Sequence, residues 1–297
     1  MSAPSPVPGP TRDCGWLDLH LHSCASDGVL TPTALMERAA GAGLRAVALT
    51  DHDTVRGLAE ARAAAEAHGL ALIDASELSC TLAGENVHVV GLGIDPDTPA
   101  LLDLLADIAR RRSARAERIA ERLAAAGVRD PLARCRELTG HDGLTRTHFA
   151  RLLVADGVAR DMRSAFRRHL ADGRAAAGRI DWPDCTEAVA AIHAAGGIAV
   201  LAHPLRYGGT HARRERTLAA FAAAGGDAAE ISTAAPIDTA RGRIVAACRR
   251  LGLAASAGSD FHDPNQRWIR LGGLPPLPPD LTPVWALPAW PMPMPPA

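Results

Sequence analysis

Apolar residues recur along this chain with two alternating periods, and the alternation predicts its elements. Short strand-like runs, WLDLHLH (16–22), LRAVALT (44–50), LALIDASEL (70–78) and NVHVVGLGI (86–94), are separated by TPTALMERAAGAG and TVRGLAEARAAAEAHG, whose apolar positions repeat at helical spacing. Thr31 stands where an N-cap is wanted before Pro32 at the first helical position, and Gly41, Gly43 and Gly69 stand where left-handed C-caps close helices. From about Pro99 to Gly178 the pattern changes to an Arg/Ala/Leu-rich helical one, including LLDLLADIARRRSARAERIAERLAAAG, with no convincing strand. Alternation resumes at Trp182 with a helix to Ala195, strand GIAVLAHP (197–204), a helix around 213–225, DAAEIS, a helix near 238–250 and strand LAASAGSD (253–260). The expectation is an α/β fold, a parallel β/α barrel at 13–98 and 179–284 interrupted by a helical subdomain at 99–178. Residues 1–12 read as a disordered tail and 285–297 as a proline-rich one, ordered where Trp285 docks.

Composition narrows the classes. With 297 residues, 47% of them hydrophobic, the chain can fill one sizeable core and a smaller one. A formal net charge of -1 gives no global attraction to nucleic acid or anionic membrane, so any polyanionic partner must be held locally. Every basic side chain is arginine, which reads as codon bias and carries no functional weight here. Six widely spaced cysteines without a C-x-x-C pair suggest neither a thiolate zinc site nor a disulfide framework. No apolar stretch spans a bilayer and no export signal opens the chain, so a cytoplasmic protein without membrane or evident protein partners is expected.

The candidate chemistry sits at the strand ends. In DLHLH a period of two puts His20 and His22 on one face of a strand, about 7 Å apart at the backbone, near enough to grip one metal. Asp27 follows in the next loop; the second strand ends in Asp51, His52 and Asp53, the third at Glu77, the fourth carries His88, and later strands end at His203 and at Asp260 and His262. Gathering so many ionisable groups in one place without a counter-ion would be prohibitively costly, and metal ions resolve that cost. Imidazoles and carboxylates without thiolate suit Mn, Fe or Zn. His68, His141, His169, His193 and His211 lie away from strand ends and read as exposed, whereas Asp51 and Asp53 are candidates for orienting ligands.

The motifs DLHLHS...SDG, TDHD, the Glu77 strand, LAHP and GSDFH resemble the signatures of the PHP (polymerase and histidinol phosphatase) superfamily over about residues 16–272. The resemblance implies a distorted seven-stranded β/α barrel and a centre of two or three divalent ions, Mn first. In it Glu77 bridges two metals, His20, His22 and Asp260 complete one site, His88 and His203 a second, and Asp27, His52 and His262 a third. Glu77, Asp260 and His203 become the catalytic candidates. TRTHFARLLV and LAHPLRY further resemble the group of 3′,5′-nucleoside bisphosphate phosphatases and 5′→3′ exoribonucleases, in which the insert covers the site; Arg146, His148 and Arg206 are then candidate substrate contacts. The implied reaction is removal of the 3′-phosphate from a 3′,5′-bisphosphonucleotide such as pAp by a metal-bridging hydroxide, extending to 5′→3′ trimming of short single-stranded RNA. The alternatives are a phosphatase for histidinol phosphate or another small phosphomonoester, and a non-catalytic metal-binding module.

Overall fold

The computed structural model describes residues 13–170, 180–233 and 239–292, so the expected tail at 1–12 lies outside the described residues. The first half alternates as β1 (Leu17–Leu21), α1 (Pro32–Gly41), β2 (Ala46–Leu49), α2 (Leu58–Ala67), β3 (Ala71–Leu82) and β4 (Glu85–Leu92). Helices α3 (Pro99–Ala125), α4 (Pro131–Thr139), α5 (Arg146–Ala155) and α6 (Met162–Ala165) follow. The chain then returns to α7 (Cys185–Ala194), β5 (Ile198–Leu201), α8 (His211–Ala223), β6 (Ala228–Ser232), α9 (Thr239–Leu251) and β7 (Ala254–Ala257). Thr31 caps α1 as expected, its hydroxyl accepting from the Ala34 N–H at 3.1 Å.

The strands form one seven-stranded sheet in the order β1-β2-β3-β4-β5-β6-β7. The expectation of a wholly parallel sheet is corrected at one strand: β4 runs antiparallel to both β3 and β5. Its cause is a tight hairpin in which Leu82 pairs with Glu85 across Ala83 (φ 50°) and Gly84 (φ 78°), the positive-φ pair that a two-residue turn needs. β3 therefore runs past Glu77, which sits mid-strand opposite Val90 rather than at a strand end. At the two edges of the sheet, Leu21 bridges Phe261, and the Asp260 N–H donates to the His20 carbonyl at 2.9 Å.

Strands β1, β2, β5, β6 and β7 are buried along their whole length, which is why they read as nearly continuous apolar runs. Helix α3 belongs to two cores. Leu101, Leu104, Leu105 and Ile108 pack into the core beneath the sheet, whereas Ala116, Ile119, Ala120 and Leu123 pack with Phe149, Leu152 and Leu153 of α5. The stretch read as an insert thus begins inside the core of the sheet. At the other end, Trp285 is buried and meets Trp16 edge-on at 5.9 Å, so the proline-rich segment opens on a docked side chain. No helix among the described residues is long and apolar enough to cross a membrane.

Candidate metal centre

Six strands or the turns that leave them deliver nine side chains to one place. Oε2 of Glu77 lies 3.2 Å from Nε2 of both His20 and His22 and 3.0 Å from Nδ1 of His52. Its Oε1 lies 3.0 Å from Nδ1 of His88 and 2.9 Å from Nε2 of His203. Oδ1 of Asp260 faces Nε2 of His22 at 3.1 Å and Nδ1 of His262 at 3.4 Å, and Oδ1 of Asp27 faces Nε2 of His262 at 3.3 Å. Within the sheet, the period-two expectation holds for His20 and His22, whose Nε2 atoms converge to 3.0 Å.

Some of the donors converge without satisfying one another. Oε2 of Glu77, Oδ1 of Asp27 and Nδ1 of His52 are buried and have no hydrogen-bond partner, although Glu77 and His52 approach to 3.0 Å. Atoms that close but so oriented aim at a shared point rather than at each other, the arrangement a cation needs. Three groups could each hold an ion: His20, His22, Glu77 and Asp260; His22, Asp27, His52 and His262; and His52, Glu77 and His88. The first is the set that the resemblance implied, whereas the second adds His22 to Asp27, His52 and His262, the third has His52 where the resemblance implied His203, and His203 faces the same Glu77 oxygen as His88.

Electrostatics agree with this geometry. Burial alone would raise the carboxyls of Glu77, Asp27 and Asp260, but the cluster of imidazoles that faces them holds all three well below the usual range. Burial pushes His52 down to about 3, keeping that imidazole neutral and able to donate a lone pair. Three buried, ionised carboxylates among imidazoles fit divalent cations. Backbone strain is concentrated here too: Asp53, His203 and Asp260 are left-handed at φ 54°, 32° and 56°, each costing about 1–3 kcal/mol. The two side chains beyond Asp53 are thereby turned into the cluster.

The carboxylates flanking His52 hold loops. Asp51 accepts from the Ser23 N–H at 2.8 Å and from the hydroxyls of Ser23 and Ser26, both at 2.6 Å, while Asp53 accepts from the Ser79 N–H at 2.6 Å and pairs with Arg112. Among the described residues, neither carboxylate bonds to a ligand imidazole.

Above the cluster opens a cavity of about 240 Å³. Arg146 and Arg206 line it, as their candidacy requires, and Arg206 pairs with Oδ2 of Asp260. Two arginines not singled out in the sequence join them: Arg112 and Arg115 of α3 line the same cavity, are largely buried, and lie 5.1 and 6.0 Å from the ring centre of Trp182. Their spacing of three on one helical face was the legible signal. Glu230, mid-strand in β6, was missed as well; its carboxylate meets His20 and the backbone of His203.

His148 is a second correction, since it does not line the cavity. It is buried, and its Nδ1 accepts the Thr145 N–H at 3.0 Å in a capping box that starts α5. His141, expected to be exposed, is half-buried, its Nδ1 accepting from the Gly143 N–H at 3.1 Å. Burial pushes His148 down to about 4, against about 6.5 for a histidine in an unfolded chain. The stability due to its neutral form is therefore complete above about pH 6.5 and lost as pH falls toward 4. Urea unfolding at pH 7 and 4.5 should show wild type losing about 2–3 kcal/mol more than His148→Gln over that interval. Parallel losses in both proteins would remove the assignment.

Comparison with known proteins gives a consistent picture. A family model described as the PHP domain matches residues 18–129. A 3′,5′-nucleoside bisphosphate phosphatase from Chromobacterium violaceum is 40% identical over 274 residues, covering 91% of this chain and 95% of that protein. A 5′-3′ exoribonuclease from Haemophilus influenzae is 39% identical over 268 residues, covering 90% and 97%. The solved structure of an amidohydrolase from Chromobacterium violaceum, with bound sulfate and no metal, superposes with a TM-score of 0.85 at 40% identity, covering 91% of this chain and 94% of that one.

Proposed function

We propose, from the premise that this chain belongs to the PHP domain family and hydrolyses phosphoesters, that it removes the 3′-phosphate from 3′,5′-bisphosphonucleotides such as pAp. In this reading the seven-stranded sheet is the family's distorted barrel and the α3–α6 segment is its substrate cover. The observation that carries the reading is the two-sided cavity: a floor of imidazoles and carboxylates, and walls bearing Arg112, Arg115, Arg146 and Arg206. One phosphate belongs on the floor, and a second, unreactive one is held by arginine.

His20, His22, Glu77 and Asp260 would hold one ion, with Asp27, His52, His88, His203 and His262 completing the others; manganese is the first choice, iron and zinc the alternatives. When bound, such ions would activate water and neutralise charge on the phosphate and the leaving oxygen. The protein's own part is to keep Glu77, Asp27 and Asp260 ionised, to present neutral imidazole at His52, and to aim Arg146 and Arg206 into the cavity. A substrate with one phosphate fixed by arginine arrives with the other positioned, which lowers the entropic part of the barrier.

Trimming of short RNA from its 5′ end is a second reading, favoured by the exoribonuclease relative, since a 5′-phosphorylated terminus carries the same pair of features. The test is product release from pAp, a short 5′-phosphorylated RNA and histidinol phosphate, each with manganese. Preference for pAp supports the first reading, and preference for RNA the second. Preference for histidinol phosphate removes both, and absence of turnover on all three would make the chain a non-catalytic module.

A further inference from the structure

Glu230 lies outside the nine candidate ligands, yet it touches two of them through parts that face away from the cluster. It is 3% exposed, in the middle of β6, between the strands that lead to His203 and to Asp260. Its Oε1 lies 2.6 Å from Nδ1 of His20, and its Oε2 accepts the His203 N–H at 2.5 Å. The second bond has a fixed polarity, because a backbone N–H can only donate. The polarity of the first follows from the other side of the ring: Nε2 of His20 points to Oε2 of Glu77 at 3.2 Å and to Nε2 of His22 at 3.0 Å. To donate a lone pair there, His20 must carry its remaining proton on Nδ1, so Glu230 must accept at both oxygens.

We propose that Glu230 is a positioning residue of the metal centre, which fixes the His20 ring with Nε2 free for a cation and pins the left-handed turn that aims His203 at Glu77. The proposal rests on the reading of His20 and His203 as metal ligands. Only a carboxylate meets the demand. A carboxamide of the same shape offers one acceptor and one donor, so Glu230→Gln must either press an NH2 against the His203 N–H or turn the His20 proton onto Nε2, where it occupies the lone pair. His203 needs the tie because its backbone is left-handed at φ 32°, a conformation a non-glycine residue holds only when its surroundings impose it. The packing leaves no other room: a Cβ on Gly258 would lie 2.6 Å from Oε1 of Glu230 and 2.3 Å from Cβ of His20. Glycine at 258 lets the chain leaving β7 pass beside this pair.

The test is zinc affinity of the full chain, by chelator competition, in wild type, Glu230→Gln and Glu230→Asp, with the melting temperature of each metal-free protein. Outer partners of ligating histidines set affinity by roughly 10- to 100-fold. We expect Glu230→Gln to weaken zinc binding by that factor at a near-native metal-free melting temperature, and Glu230→Asp, which keeps two acceptors, to recover part of the loss. Zinc-loaded wild type, labelled with ¹⁵N-histidine, supplies a measurement that needs no variant to fold: the His20 proton should reside on Nδ1. Zinc affinity of Glu230→Gln within twofold of wild type, or a His20 proton on Nε2, overturns the role of Glu230 while leaving the metal centre standing. Failure of wild type to bind zinc or manganese overturns the metal centre and this role together.

Discussion

Replacing Glu77 by Gln is expected to lower kcat/KM for pAp by roughly a thousandfold or more, about 4 kcal/mol of barrier. Glu77 is fully buried, and its two oxygens face His20, His22, His52, His88 and His203 from four different strands and turns. The amide keeps the shape but removes a charge and turns one acceptor into a donor, which leaves a cation beside it both under-neutralised and short of a ligand. The fold should persist, because the strands around Glu77 are held by the β3–β4 ladder and an apolar core that the change does not touch. Bound metal should fall in parallel, read by elemental analysis of the purified variant alongside its melting temperature. Turnover within tenfold of wild type at full metal content would take Glu77 out of the centre.

Discrimination between pAp and 3′-AMP supplies the second large effect. Wild type is expected to favour pAp by about a hundredfold, and Arg146→Ala to reduce that preference by roughly ten- to a hundredfold, the worth of a charge-assisted hydrogen bond of about 1.5–3 kcal/mol. Arg146 is the first residue of α5, and Thr145, Arg146 and Thr147 all line the cavity, so the N-terminal end of a ten-residue helix, Arg146 included, borders that space. Arg206 pairs with Oδ2 of Asp260, a carboxylate of the centre itself. Arg206→Ala should therefore reduce the preference and also lower kcat on both substrates, because it removes a partner from a carboxylate of the centre. Equal kcat/KM for pAp and 3′-AMP in wild type would refute the second-phosphate subsite, and unchanged discrimination in both variants would move it to Arg112 and Arg115.

The nine donors could be read from the sequence because each follows, or interrupts, a short apolar run, and a run that ends in His, Asp or Glu marks the place where a strand leaves the core. The reversal of β4 could not, since Ala83-Gly84 lacks the Asn-Gly or Asp-Gly pair that announces a two-residue hairpin. Glu230 was hidden for a related reason. It lies within an apolar strand rather than at its end, and only the closeness of β1, β5 and β6 in space gives its two oxygens their partners. At His148 the resemblance pointed to a substrate contact, whereas the ring caps a helix, a task that any acceptor at the third helical position can perform.

Helix α3 joins its two cores without a break, rising about 40 Å over 27 residues. Ile108 is anchored under the sheet, Ala116 in the second core, and Arg112 and Arg115 are presented between them. The arginine wall is thus held in fixed phase with the sheet, like teeth on a shaft. One residue added between Ile108 and Arg112 turns everything beyond it by about 100° and advances it about 1.5 Å, which carries both guanidinium groups out of the cavity and the apolar stripe out of its core. Seven residues added there, close to two full turns, would lift the same wall by about 10 Å and nearly restore its bearing. The depth of the cavity in a chain of this design is consequently adjustable only in steps of whole helical turns.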